Sequence, residues 1–250
     1  MLTLFALVVM RMSGAVLFNP VLGRSNYPAR AKAALILGLS VLLYLRVDGV
    51  LAHQPTGMLE YGVMLVKELF LGFVLGYSME LAFAILRFAS SIMDNNMGLS
   101  MAQVYDPQYN TQMTVTSGLY YAFLSLLFLA TNGHLYLLSL FFASARLIPF
   151  GEVAIRPELS QLMMEIFRTN IAMGLQFAFP ILAMELITEA AMGILMRMIP
   201  QINVFSVNFQ LKIIVGMAML LLMFNPMSDK LYVILEEMFR YMDRLLGLMA

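Results

Sequence analysis

The sequence contains no cysteine, which excludes disulfides, iron–sulfur clusters, thiol catalysis and the usual thiolate zinc sites. Charge is also scarce: 15 Lys and Arg and 15 Asp and Glu make up 12% of the 250 residues and give a net charge of zero. Ordinary soluble domains carry about 25% charged residues. So few ionisable groups cannot cover the surface of a soluble protein of this size, and no basic face indicates nucleic-acid binding.

The common motifs of catalysis and cofactor binding are missing as well. The two histidines, His53 and His134, lie in separate turns, and neither belongs to an H-E-x-x-H zinc motif. The chain has no G-x-S-x-G nucleophile elbow, no Walker A motif and no G-x-G-x-x-G fingerprint. We therefore expect no enzyme activity, no cofactor and no metal site.

What the sequence does contain is a nearly unbroken series of apolar segments, with 61% hydrophobic residues. A helix needs about 20 residues to cross the hydrocarbon core of a bilayer. These segments predict an all-α, integral-membrane-type fold that forms one helical unit over 1–250. An amphipathic segment at 227–248 follows seven apolar stretches, which are 2–22, 33–52, 59–87, 113–131, 134–150, 166–196 and 211–225.

Loop charges predict a topology for these stretches. The segment 23–32 holds three basic residues and no acidic one, which is typical of a cytoplasmic loop. If all seven stretches cross the membrane, the loop 88–112 is cytoplasmic and the N-terminus lies outside. The first stretch has Arg11 in its middle and no small-residue cleavage site, so we expect it to remain in the mature protein.

Several charged residues fall inside the apolar stretches, where a lipid-facing charge is costly. Such residues normally face protein or water, so they indicate either a polar pathway or, as we favour, helices buried between subunits and joined by ion pairs. Glu185 and Glu189 share one helix face, and replacing either by leucine should abolish the complex because its partner would be left unpaired. The buried or interfacial charges predicted in this way are Arg11, Lys67, Glu80, Glu185, Glu189 and Arg197.

Other residues bear on helix packing. Gly72 and Gly76 form a G-x-x-x-G step, which permits close helix approach. Pro180 interrupts the sixth apolar stretch and predicts a kink or break. The 24 methionines are flexible side chains that either line a compliant conduit for peptides or simply fill the core.

The most polar segment in the middle of the chain runs from Asp94 to Gln112. At roughly nineteen residues it is long for a connection in a compact domain, and such loops are usually functional or disordered. Its amides and tyrosines suit either a plug that contacts a polypeptide or a solvated connector. Gly98 permits a sharp bend, and Pro107 restricts the residue before it. The plug residues predicted here are Met97, Gly98, Met101, Gln103, Tyr105, Asp106, Pro107, Tyr109, Gln112 and Met113.

The last segment is strongly amphipathic. Its apolar residues recur at three- and four-residue steps and form one stripe along a helix from Leu231 to Leu248. Acidic and basic residues balance on the remaining surface, which disfavours adsorption to anionic lipid. We therefore expect the stripe to dock on another component on the cytoplasmic side.

Blocks spread over most of the chain are similar, in order, to those of one known family. They are Arg11-Met12-Ser13-Gly14 with Pro20, Gly23, Pro28 and Lys32; Asp94 with Met97-Gly98 and Asp106-Pro107; Leu127-Phe128-Leu129 with Asn132-Gly133-His134; and Gly193, Arg197, Pro200-Gln201, Asn203-Val204-Phe205, Lys212-Ile213 and Gly216. On these blocks the chain resembles the FliR family (FliR/SctT) of type III secretion export-gate proteins.

The resemblance implies a non-enzymatic subunit of the flagellar export gate in the bacterial inner membrane, within the flagellar basal body. It implies helical hairpins packed with FliP and FliQ homologues around a peptide pore, with the FlhB homologue, membrane lipid and unfolded export substrates as further partners. The assembled gate would be partly raised toward the periplasm. A FliP-like half would cover about 1–160 and a FliQ-like half about 161–250, and the stretch from Met97 to Thr114 would be the pore plug.

Two alternatives stay open. The homologous gate subunit of a virulence injectisome would have the same fold. A secondary ion or solute transporter is a different class, and it rests on Glu185 and Glu189 near a helix broken at Pro180. A transporter would work alone and often shows inverted repeats, which we do not find in the sequence.

Overall fold

The computed structural model describes residues 2–24, 27–46, 54–101, 104–106, 111–199 and 204–250, and it is helical over most of them. A 3₁₀ turn at Leu99–Met101 and two short antiparallel strands, β1 (Val104–Asp106) and β2 (Thr111–Met113), lie between the third and fourth helices. Apart from this hairpin the predicted all-α fold is confirmed. The helices are α1 (Leu2–Leu17), α2 (Ala29–Arg46), α3 (Met58–Met97), α4 (Val115–Ala130), α5 (Gly133–Leu147), α6 (Pro157–Met198), α7 (Val204–Leu222) and α8 (Phe224–Met249).

Each predicted apolar stretch corresponds to a helix, although the second stretch extends into 47–52, outside the described residues. The helix bounds differ most from the prediction in α3 and α6. α3 continues to Met97, so the first residues of the predicted loop are helical, and α6 begins at Pro157 rather than near 166. Proline suits the first helical position because its missing amide would be unpaired there anyway. Of the kink or break predicted at Pro180, the break is not found, since α6 is continuous through this residue.

By length and composition, the described residues do not provide the seven crossings on which the charge-based topology depends. Among the described residues, α3 and α6 are each long and apolar enough to cross a membrane alone. Two bent pairs could each form one further span: α4 meets α5 at 69°, and Val207–Leu222 of α7 meets α8 at 65°. α1 has only 16 residues, fewer than a crossing helix usually needs.

The chain divides into two compact units. One comprises Met1–Phe83, Leu127–Arg168 and Leu235–Ala250, and the other comprises Ala84–Leu126 and Thr169–Ile234. The division into a FliP-like and a FliQ-like half near residue 160 is a separate matter and stays a prediction.

Within the first unit, the backbones of α1 and α3 lie in direct contact. A Cβ atom added to Gly72 would lie 2.0 Å from the carbonyl oxygen of Arg11, and one added to Gly76 would lie 2.9 Å from that of Ala15. A third glycine, Gly14 on α1, faces α3 in the same way, with Leu69 O 2.4 Å from the position of its missing Cβ. The two helices can approach this closely because a glycine, which has no side chain, lies at each of these contacts.

The apolar stripe of α8 is buried inside the chain. The expectation that it docks on another export component is therefore wrong, because residues of this protein already cover it. The Ala154 amide donates to the Met249 carbonyl at 3.3 Å, and the Tyr136 hydroxyl donates to Asp243 Oδ2 at 2.6 Å. The buried members of the stripe are Leu231, Ile234, Leu235, Met238, Tyr241, Met242 and Leu245.

Candidate functional site

A buried ion pair joins α1 to α3. Arg11 Nε donates to Glu68 Oε2 at 2.6 Å, and neither side chain is exposed to solvent. The other two guanidinium nitrogens donate to backbone carbonyls at the end of α5, Nη1 to Ser144 O at 2.9 Å and Nη2 to Ile148 O at 3.1 Å. A cation is favoured there because the last carbonyls of a helix carry the negative end of its dipole.

The segment after α5 completes the environment of this pair. The Gly151 amide donates to Glu68 Oε1 at 2.8 Å, and the Phe150 ring centroid lies 4.0 Å from Arg11 Cζ. Gly151 has a φ of +95°, a left-handed conformation that glycine adopts without strain. Arg11 is therefore buried as predicted for a charge within an apolar helix, and its partners lie in this chain rather than in another subunit.

The predicted stripe of charges on α6 is divided between buried and exposed positions. Glu185 is 2% exposed, and neither of its carboxylate oxygens has a hydrogen-bond partner among the described residues. One turn later, Glu189 forms an ion pair with Lys212 of α7 and is 49% exposed. No group of three or more His, Asp or Glu side chains in the described part of the chain could hold a metal ion. The remaining predicted charges are half-buried or exposed: Lys67, Glu80 and Arg197.

Hydrogen bonds join the two ends of the loop that was predicted as a plug. Asp94, in the last turn of α3, is completely buried, and its Oδ2 accepts a hydrogen bond from the Thr116 amide at 2.9 Å. The Thr116 hydroxyl donates to the Ser90 carbonyl at 3.1 Å. A carboxylate that accepts from a first-turn amide stabilises a helix N-terminus. Asp94 thus caps α4 from another helix, and the loop leaves and returns at one place.

Beyond Gly98 the loop forms the 3₁₀ turn and the hairpin. Val104 pairs with Met113, Tyr105 with Gln112, and Asp106 with Thr111. For four of the predicted plug residues, Met101, Tyr105, Asp106 and Gln112, the structure describes the backbone only, whereas Met97 is buried and Met113 half-buried. Gln103, Pro107 and Tyr109 lie outside the described residues.

Sequence reasoning missed several residues of this site. The hairpin had a signal in the sequence, because Val104 and Tyr105 have high strand propensity and precede Pro107, a residue type that is common in turns. Thr116, near the start of an apolar run, also had the character of a helix N-terminus. Glu68 was visible as a charge in an apolar stretch, but nothing local identifies a partner 57 residues away.

The outer faces of α6 and α7 are apolar and exposed. In α6 only 33% of the most apolar window is buried, against 67% in α3. Extensive exposed apolar surface indicates contact with lipid or with another protein. Strongly exposed apolar side chains include Phe179, Leu186, Ile187 and Ile194 on α6 and Ile214, Leu221 and Leu222 on α7.

The chain is similar to known export proteins over most of its length. A family model described as bacterial export proteins, family 1, matches residues 2–238. The flagellar biosynthetic protein FliR of Escherichia coli (strain K12) is 28% identical over 236 residues, which cover 92% of this chain and 89% of the relative. FliR of Pectobacterium carotovorum subsp. carotovorum is 32% identical over 78% and 77% of the two chains. FliR of Bacillus subtilis (strain 168) is 29% identical over 87% and 84%.

Proposed function

Since the chain belongs to the family of bacterial export proteins, family 1, we propose that it is a structural pore subunit of the flagellar type III protein export apparatus. In this proposal it forms, with FliP and FliQ homologues, the gate that passes unfolded flagellar proteins across the inner membrane. The FlhB homologue is a further partner. The subunit itself catalyses no reaction and uses energy supplied elsewhere in the apparatus.

The observation that carries the pore role is the loop from Met97 to Thr114. A resting conduit must hold back ions and small molecules and still admit a polypeptide, so a segment of protein must block the pore and be able to move aside. The capping bond between Asp94 and Thr116 and the buried Met97 side chain fix the base of the loop. The hairpin between these points can therefore shift without unfolding α3 or α4.

The exposed faces of α6 and α7 support the proposed partners. Both are apolar, and the charge that α6 places on its buried face, Glu185, is enclosed by this chain. Such faces suit apolar helices of neighbouring subunits, and membrane lipid around them. We propose that the assembled gate covers them and lies partly above the bilayer on the periplasmic side.

The alternatives are less well supported. The relatives reported above carry flagellar names, which favours the flagellar over the virulence system. The transporter hypothesis required a helix broken at Pro180, and α6 is continuous there. Purification separates the two classes: a gate subunit copurifies with other helical subunits, whereas a transporter is a monodisperse protein that binds a solute alone.

Deletion of Ala102 to Asn110 tests the plug. The shortened chain keeps Asp94, Met97 and Thr116, so it should still copurify with its partner subunits. Cells that carry it should take up small dyes and ions faster and grow more slowly. An assembled deletion variant that takes up dyes and ions no faster than the unmodified gate would contradict the proposed function.

A further inference from the structure

Helix α7 holds the first residues of the plug loop at two places. The side chain of Met97, which is completely buried, occupies the space that a side chain on Gly216 would need: a Cβ atom there would lie 2.5 Å from Met97 Cγ and 2.5 Å from Sδ. One residue further along the loop, a Cβ atom on Gly98 would lie 3.0 Å from Cε2 of the Phe209 ring. All four residues belong to the second compact unit.

These contacts lie at the point where the chain leaves α3. Gly98 has a φ of +77°, and its amide donates to the Asn95 carbonyl at 3.4 Å, so the helix ends there in a left-handed residue. The Phe209 ring lies directly against this bend. A change in the position of Phe209 would therefore change the path of the residues that follow Gly98.

The position of α7 is in turn tied to α6. Lys212, which lies on α7 between Phe209 and Gly216, forms the ion pair with Glu189. The helix that contacts the loop base is thus linked to a long apolar helix through a partly exposed pair. No contact between α7 and the loop base was expected from the sequence.

We propose that α7 is the seat of the plug, with Gly216 and Phe209 as positioning residues. The notch at Gly216 receives Met97, and the Phe209 ring supports Gly98, so the plug closes only while α7 is in place. This inference rests on the proposed function, because it assigns a role to the same loop. It adds that the closed state depends on a helix outside the loop itself.

A substitution that fills the notch tests the seat. Gly216→Ala places a methyl group where the Met97 side chain lies, so Met97 must move and the loop base with it. We expect the assembled gate to admit a small fluorescent dye and potassium several-fold faster than the unmodified gate. Combining Gly216→Ala with Met97→Ala removes the clash, and influx should fall back toward the unmodified value, which a general loss of stability would not produce.

Gly193→Ala on α6 is the matched control, because no atom lies within 4 Å of a Cβ placed there. Its dye and potassium influx should equal that of the unmodified gate. If Gly216→Ala fails to assemble, Phe209→Ala decides, since it removes the support of Gly98 without adding atoms and should leak. An assembled Gly216→Ala gate that admits neither dye nor potassium faster than the unmodified gate would contradict the proposed role of α7. A double variant that leaks more than Gly216→Ala would contradict it as well. Where the loop deletion leaks and the α7 variants do not, only this inference fails; where the loop deletion is tight, the proposed function fails.

Discussion

Arg11 and Glu68 lie 57 residues apart in the chain, and their side chains meet at 2.6 Å with no exposure to solvent. Removing two charges from water is expensive, and here additional hydrogen bonds to Ser144, Ile148 and Gly151 compensate that cost. The pair therefore connects α1, α3 and the end of α5. It is a structural joint within one subunit.

Breaking this pair from one side should be severe. Glu68→Leu leaves an uncompensated guanidinium in the interior, and Arg11→Met leaves an uncompensated carboxylate; each should lower the free energy of unfolding by about 3–5 kcal/mol. The double variant buries no unpaired ion and should lose less than the sum of the two. Thermal unfolding of the purified complex in detergent measures all three. Strictly additive losses would show that the two charges do not interact.

Two glycines on α3 allow a direct test of the close contact with α1. Gly72→Ala introduces a Cβ atom 2.0 Å from the Arg11 carbonyl, so α1 must be displaced. Gly62→Ala, on the same helix, meets no atom within 4 Å and should gain up to about 1 kcal/mol from the better helix propensity of alanine. We expect Gly72→Ala to reduce the yield of assembled complex strongly and Gly62→Ala to leave it unchanged. Equal yields would mean that α1 and α3 separate without consequence.

For Glu185 the structure reverses the effect expected from the sequence. Neither carboxylate oxygen has a hydrogen-bond partner among the described residues, so Glu185→Leu removes a buried unsatisfied group and should be neutral or stabilising. Glu189→Leu removes the partly exposed partner of Lys212 and should cost less than about 1 kcal/mol. Copurification and thermal unfolding should show an intact complex for both variants. Loss of the complex with Glu185→Leu would place a partner for this carboxylate in another subunit.

The packing of α8 predicts a sharp difference between its two faces. Met242→Asp puts a charge at a completely buried position and should prevent the chain from folding stably. Glu236→Ala lies on the exposed face and should have little effect. Truncation after Pro226 should destabilise the subunit even when it is expressed without partners, because the stripe covers residues of this chain. A truncated chain that remains well folded and assembles normally would contradict the internal packing.

The helices could be predicted because long apolar runs have few alternatives: backbone groups in an apolar environment must be paired, and helices pair them locally. What could not be predicted is which helix meets which. The step Gly72–Gly76 indicates a close approach, but it does not identify α1 as the helix that approaches. In the same way, periodicity shows that α8 has a buried face without showing that this chain covers it.

The plug base shows the same limit. Gly98 and Pro107 indicate a bend and a turn from local rules alone. The cap from Asp94 to Thr116 spans 22 residues, and the contact of Met97 with Gly216 depends on the path of three helices between them. Such relationships depend on tertiary packing, for which a single sequence carries no local signal.

The partners of Arg11 and Glu68 are synthesised at widely separated times. The Ile148 carbonyl, which accepts from Arg11, is 137 residues away from it in the chain. Gly151, whose amide donates to Glu68, follows three positions later. At ordinary rates of synthesis the ribosome needs on the order of 10 seconds to reach these residues. During that interval the guanidinium can pair with Glu68 but lacks its two carbonyl acceptors, so burial of α1 in an apolar environment is less favourable. We therefore expect the N-terminal helix to reach its final position late, and Arg11 to be more exposed to water in a nascent chain halted before residue 148 than in the finished protein.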